Sequence, residues 1–185
     1  CGIFYSDDQG GTWRQNLTGL TTPLLSALAV SSTGALFAGS LSGDLFASFN
    51  YGKTWETGLV PQELRAMVTV LVQSPNFQRD GTVFAATDGG GMLVTRNSGS
   101  SWEDSSFGLG DLSVLALATS PDWSRREMMF AATTEGVFVS RNGGRAWRES
   151  ELMMDDDVVD VLAVSPDFEN DRTVYAGTEE GHLYV

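Results

Sequence analysis

An eight-residue phrase ending in tryptophan occurs four times, and no other feature limits the fold so sharply. Residues 6–13 read Ser-Asp-Asp-Gln-Gly-Gly-Thr-Trp, and residues 48–55 read Ser-Phe-Asn-Tyr-Gly-Lys-Thr-Trp. Residues 95–102 read Thr-Arg-Asn-Ser-Gly-Ser-Ser-Trp, and residues 140–147 read Ser-Arg-Asn-Gly-Gly-Arg-Ala-Trp. The shared pattern is Ser/Thr-x-Asp/Asn-x-Gly-x-Thr/Ser/Ala-Trp. A self-similar period of about 45 residues marks a supersecondary unit that buries its apolar faces by stacking on its neighbours.

A second motif keeps the same phase. Residues 74–77 (Ser-Pro-Asn-Phe), 120–123 (Ser-Pro-Asp-Trp) and 165–168 (Ser-Pro-Asp-Phe) each precede an apolar run. Those runs are residues 82–87 (Thr-Val-Phe-Ala-Ala-Thr), 128–133 (Met-Met-Phe-Ala-Ala-Thr) and 173–178 (Thr-Val-Tyr-Ala-Gly-Thr), with an abridged copy over residues 29–40. Short runs rich in Val, Phe and Leu, punctuated by Gly, Asn and Asp, are strand and turn signals. In the third unit they predict strands over residues 114–119, 128–133, 137–140 and 146–149. No stretch holds a sustained helical period, although residues 59–67 can form one short turn after Pro61. The pattern predicts an all-β chain, a β-propeller of four-stranded antiparallel blades in one domain, with repeats near 1–47, 48–94, 95–139 and 140–185.

The tryptophan phrase resembles the Asp-box, or BNR, repeat of sialidases, xyloglucan-active glycosidases, sortilin-type receptors and photosystem II assembly-factor propellers. The resemblance covers essentially the whole chain. It implies the fold and leaves function open, because enzymes and binding proteins both carry the box. By the same analogy an extracytoplasmic location is expected.

The box residues are expected to shape a hairpin, not to perform chemistry. In Ser6, Asp8, Gly10, Thr12 and Trp13 the carboxylate can accept hydrogen bonds from backbone N–H groups ahead of it. Ser48, Asn50, Gly52, Thr54 and Trp55 repeat the arrangement, as do Thr95, Asn97, Gly99, Ser101 and Trp102, then Ser140, Asn142, Gly144 and Trp147. Each glycine supplies a backbone conformation that a side chain penalises, and each tryptophan is expected to be buried between blades. Three boxes carry Asn for Asp, which keeps the acceptor oxygen and removes the charge, so neither metal binding nor catalysis is expected there.

Aligned on the repeat, residues 1–5 and 181–185 both occupy the third-strand position of a blade. This predicts an incomplete portion of a larger ring, or a spare strand that pairs with another copy. In a portion of a larger ring the two terminal strands are expected in different blades, whereas in a four-bladed ring one of them must be displaced or disordered. Cys1-Gly2 also matches the start of a mature lipoprotein, and residues 16–18 (Asn-Leu-Thr) match a glycosylation sequon, both by short letter patterns only.

With 24 Asp and Glu against 11 Lys and Arg, the net charge is −13. That sign opposes nucleic acid and anionic membrane as partners, and no apolar stretch reaches transmembrane length. The charge is distributed unevenly over the predicted turns. The turns that carry the boxes roughly balance. The opposite turns carry Asp44, Asp88, Asp111, Glu135, Asp155, Asp156, Asp157, Glu179 and Glu180, among others, against Arg65 alone. This acidic face is a candidate for a basic protein segment or divalent cations. Within it Asp155, Asp156 and Asp157 form the best run for a cation, although the run lacks the spacing of a dedicated calcium loop.

Enzymatic readings find little support in the sequence. A sialidase-type arginine cluster is missing from the acidic side, and His182 is the single histidine. A glycosidase needs two carboxylates across a cleft. Asp44, Asp88, Asp111 and Glu135 lie on suitable but short turns. No cofactor is expected. The leading reading is a non-catalytic module for protein–protein interaction or scaffolding. The alternatives are part of a glycosidase-like propeller with catalytic residues outside this segment, and a repeat module that self-associates through its terminal strands.

Overall fold

A computed structural model describes residues 2–31, 33–151 and 157–185. The chain opens with a hairpin of β1 (Ile3–Tyr5) and β2 (Arg14–Asn16). Three antiparallel four-stranded sheets follow, each in sequence order. Blade 1 is β3 (Leu25–Val30), β4 (Leu36–Ser40), β5 (Leu45–Ser48) and β6 (Glu56–Thr57). Blade 2 is β7 (Met67–Gln73), β8 (Val83–Asp88), β9 (Met92–Thr95) and β10 (Glu103–Asp104). Blade 3 is β11 (Val114–Thr119), β12 (Met129–Thr133), β13 (Gly136–Ser140) and β14 (Arg148–Glu149). The last sheet has three strands, β15 (Val159–Val164), β16 (Val174–Thr178) and β17 (Leu183–Tyr184). The protein is a β-propeller of four-stranded antiparallel blades, as the repeat predicts.

The first strand of each sheet packs on the first strand of the next, β3 on β7, β7 on β11 and β11 on β15. Among the described residues no comparable packing joins β15 back to β3. All four first strands carry a register shift near their start, between Val68 and Val70 in blade 2, for example. Such a bulge adds local twist where strands crowd together.

The apolar core lies in the seams between sheets, because the strands are apolar on both faces. Phe37, Leu45 and Ala47 of blade 1 meet Leu71, Val83, Leu93 and Trp102 of blade 2. Phe84, Met92 and Val94 of blade 2 meet Leu117, Met129, Phe138 and Trp147 of blade 3. Ala116, Ala132 and Val137 of blade 3 meet Val159 and Ala176 of the last sheet. Ile3 of the opening hairpin meets Phe46 and Trp55 of blade 1.

The Ser-Pro-x-aromatic motif folds into one helical turn between the first two strands: α1 (Phe77–Asp80), α2 (Trp123–Arg126) and α3 (Phe168–Asp171). Hydropathy periodicity missed these turns because four residues barely complete one 3.6-residue turn. Ser74 and Ser165 donate to the Asp80 and Asp171 carboxylates at 2.6 and 2.5 Å. The aromatic of each turn packs edge-on against the preceding blade, Phe77 on Phe37, Trp123 on Phe84 and Phe168 on Phe130. The turn expected after Pro61 is a 3-10 helix over Gln62–Leu64.

One expectation fails. Trp55, Trp102 and Trp147 are buried, but Trp13 is 63% exposed. Each of the three buried box tryptophans covers the sheet before its own. Trp147 hydrogen-bonds to Phe107 and Ser105 behind β10, and Trp102 to Leu59 behind β6. The backbone of Trp55 bonds to Thr18 behind β2. Trp13 belongs to the opening hairpin, and no described sheet precedes that hairpin.

Candidate functional site

The boxes are hairpin locks. In the second box the Ser48 Oγ accepts from Gly52 N–H at 3.0 Å, and the Asn50 Oδ1 accepts from Thr54 N–H at 3.0 Å. The Asn50 amide donates onward to Thr54 Oγ1 at 2.8 Å. Thr95 and Asn97 hold Gly99 and Ser101 by the same bonds, and Ser140 and Asn142 hold Gly144 and Ala146. In the first box Asp8 accepts from both the hydroxyl and the N–H of Thr12, and from Ser6. Those bonds hold its carboxyl down to about 2, the Thr12 hydroxyl contributing most. The acceptor oxygen of each box is therefore occupied within its own turn.

The acidic loop face separates into carboxylates used by the fold and carboxylates left to solvent. Asp44 is paired with Arg65 at 2.9 Å. Asp111 accepts from the Thr134 hydroxyl at 2.6 Å and its N–H at 2.9 Å, and from Ser113 N–H. Burial pushes the Asp111 carboxyl up, but these bonds outweigh it and the net shift is downward. Asp88, Glu135, Glu179 and Glu180 are exposed. Asp155 and Asp156 lie outside the described residues.

Asp157, the last member of the candidate cation run, comes together with two residues that the linear sequence keeps apart. One donor atom each from Asp157, Glu180 and His182 lies within 4.8 Å of the others. Asp157 Oδ2 is 3.0 Å from His182 Nδ1, and its Oδ1 accepts from Val158 N–H at 2.9 Å. The Thr178 hydroxyl, foremost among several donors, lowers the Asp157 carboxyl below its usual range. The bond to Asp157 correspondingly raises His182. With its lone pairs engaged by protein donors, buried Asp157 works as a hydrogen-bonded lock between the start of β15 and the β16–β17 turn.

The distinctive surfaces lie at the two ends of the sheet series. Strand registers place Leu28, Leu71 and Leu117 at one repeat position. Leu71 and Leu117 are 7% exposed, whereas Leu28 is 55% exposed. Val30 beside it is also exposed, and so is Phe4, the hairpin's counterpart of buried Leu93 and Phe138. At the other end Val161, Tyr175 and Leu183 are exposed on the outer face of the last sheet. Their counterparts in blade 3, Ala116, Phe130 and Val137, are buried. The two uncovered faces are opposite halves of the seam that the chain builds three times internally. Repeat position alone could have revealed them, once each face was assigned to a neighbour.

Asn16, the residue of the sequon-like triplet, is engaged structurally. Its amide donates to Gly52 O and Lys53 O at 2.5 and 2.9 Å, tying β2 to the box of blade 1. Among the described residues no helix is long and apolar enough to cross a membrane.

No family model and no curated protein match the chain. Solved structures do. An ancestral GH74 enzyme superposes with a TM-score of 0.72 at 20% identity, over 99% of this chain and 28% of the enzyme. YCF48 bound to D1 peptide gives 0.66 at 18% identity, over 97% of this chain and 55% of that one. The computationally designed Ika4 protein gives 0.67 at 18% identity, over 92% of this chain and 96% of that one. The chain thus spans about a quarter of the GH74 enzyme and about half of YCF48. At these identities the likeness is one of fold, the β-propeller.

Proposed function

We propose that this chain is a non-catalytic propeller module for protein–protein interaction or scaffolding, whose two end blade faces pack against further Asp-box blades. The observation that carries this reading is the exposure of Leu28, Val161, Tyr175 and Leu183 at positions whose repeat counterparts, Leu71 and Leu117 for the first and Ala116, Phe130 and Val137 for the others, are buried in the internal seams. Contiguous exposed apolar residues of this kind mark interaction surfaces. The three internal seams display the chemistry that satisfies them, a β-blade with an aliphatic and aromatic face.

The loop-face carboxylates support the non-catalytic part. Asp44 is neutralised by Arg65, and Asp111 is held ionised by Thr134 and Ser113. A glycosidase acid needs a raised pKa to carry its proton, and Asp111 is shifted the other way. The extracytoplasmic location implied by the family resemblance belongs to the same proposal.

Photo-crosslinking tests this reading. A crosslinking amino acid placed at Leu28 or Leu183 in source cells should give products whose tryptic peptides carry the Asp-box phrase, and one placed at Asp88 should not. Products confined to Asp88 would move the interaction to the acidic face. Saccharide hydrolysis lost in Asp88→Asn would overturn the non-catalytic assignment.

A further inference from the structure

An ion pair joins two of the one-turn helices, and its repeat counterpart one seam earlier lacks the acid. Arg125 of α2 pairs with Glu169 of α3, between blade 3 and the last sheet. Gln78, Ser124 and Glu169 hold one place in the Ser-Pro-x-aromatic motif, and Arg79, Arg125 and Asn170 hold the next. Between blades 2 and 3 the repeat therefore sets Arg79 of α1 toward Ser124 of α2. Ser124 offers a hydroxyl where Glu169 offers a carboxylate, and Arg79 has no carboxylate partner among the described residues.

An open pocket of about 630 Å³ lies at this place, lined by Arg79, Ser124, Gln73 and Asn76 among others. Arg79 is its one charged lining residue among those described, in a chain of net charge −13. The carboxylates of the two turns are committed elsewhere. Asp80 accepts from the Ser74 hydroxyl at 2.6 Å and from Thr82 N–H at 2.8 Å, and Asp122 is paired with Arg126 at 3.3 Å. Gln73 supplies a second, independent observation. It ends β7 at the register position that Val30, Thr119 and Val164 hold in the other sheets. Its side-chain Nε2 is buried with no hydrogen-bond partner. A buried donor left unpaired is costly, and an apolar group of similar shape would avoid that cost.

We infer that this pocket binds a carboxylate ligand, which takes the place that Glu169 takes one seam later. The carboxylate accepts from the Arg79 guanidinium, whose planar fork matches it. The Gln73 amide and the Ser124 hydroxyl supply further donors. A free small acid and an acidic side chain of a protein share this chemistry. The site sits between two blades that both have neighbours in the chain, so it does not depend on the end faces or on the reading above.

Nuclear magnetic resonance titration of the isotope-labelled chain tests the site with two probes. One is succinate, and the other is the capped peptide acetyl-Gly-Glu-Gly-amide, which carries its carboxylate on a side chain only. A carboxylate should shift the Arg79 Nε–H and the Gln73 side-chain amide signals in a saturable way. A response to succinate alone assigns the ligand to a free small acid, and a response to the peptide assigns it to a protein side chain. Arg79→Gln should weaken binding at least about tenfold, the effect of losing a charge-assisted hydrogen bond. Gln73→Leu should also weaken it while leaving Tm unchanged or higher, because the orphan donor is removed. In Ser124→Glu the introduced carboxylate should form the pair seen between Arg125 and Glu169. The Arg79 signal should then move without any probe, and neither probe should shift it further. Signals unmoved by both probes, or binding unchanged in Arg79→Gln, would overturn the site.

Discussion

Trp147 donates its indole N–H across a blade seam to the carbonyl oxygen of Ser105, 2.7 Å away. The bond joins the box of blade 3 to the residue that follows the outer strand of blade 2. Burial of the ring and satisfaction of its one polar atom therefore occur in a single contact between two repeats.

Replacing Trp147 or Trp102 by Ala should destabilise the fold by about 3–5 kcal/mol, the usual cost of deleting a buried aromatic. Trp13→Ala, measured on dilute monomer, should cost less than about 0.5 kcal/mol, as expected at an exposed position. Urea denaturation of the three variants at one low concentration makes the comparison. Equal losses at Trp13 and Trp147 would contradict the one-sided packing of the boxes.

The Asn side chains of the boxes should act through their acceptor oxygen and not through a metal. Asn97→Ala strands the Ser101 N–H that Asn97 Oδ1 now accepts, and a loss of about 1–3 kcal/mol is expected if that donor stays unpaired. Asn97→Asp keeps the acceptor and should be tolerated much better. Chelator treatment should leave Tm unchanged in both wild type and Asn97→Asp, as followed by circular dichroism.

Gly108 marks where two repeats approach too closely for any side chain. Its φ is +91°, and a Cβ there would overlap the carbonyl oxygen of Trp147. Gly10 also has positive φ but has open space around it. Gly108→Ala should therefore cost clearly more than Gly10→Ala, whose penalty is the left-handed backbone alone, about 1–2 kcal/mol. Paired thermal melts give the ranking, and a reversal would mean that the seam opens readily.

The Asp157–His182 contact makes the last sheet sensitive to pH. His182 is raised from 6.5 by its bond to Asp157, with Glu180 adding to the field. A raised histidine stabilises the folded state fully below its unfolded pKa, and that contribution disappears as pH rises through the folded value. Asp157 is lowered, so it stays ionised throughout this window. Amide exchange at Thr178 and His182, measured as protection factors, should speed up relative to blade 2 as pH rises beyond about 6.5. The same comparison in His182→Gln should be flat.

The repeat phrase and its apolar flanks were sufficient to predict blade type, strand order and the approximate bounds of most strands. These depend on local signals, such as an Asx-type acceptor two residues ahead of a glycine and β-branched runs between turns. The sequence also placed the strands within residues 1–5 and 181–185 in different sheets, which is where β1 and β17 lie. The one-turn helices at Phe77, Trp123 and Phe168 escaped because they are too short to impose a period.

What tertiary structure alone decided was which neighbour each face meets. Four tryptophans ending the same repeated pattern look equivalent along the chain, yet Trp13 is exposed and the other three are buried, because each of those three covers the sheet before its own. Likewise Asp157 read as one of three adjacent carboxylates until the pairing of β15 with β16 brought Glu180 and His182 of the β16–β17 turn beside it. Local hydrogen bonding writes a blade into its own 45 or so residues. The packing of that blade depends on contacts with the next one, and those contacts come from residues a full repeat away.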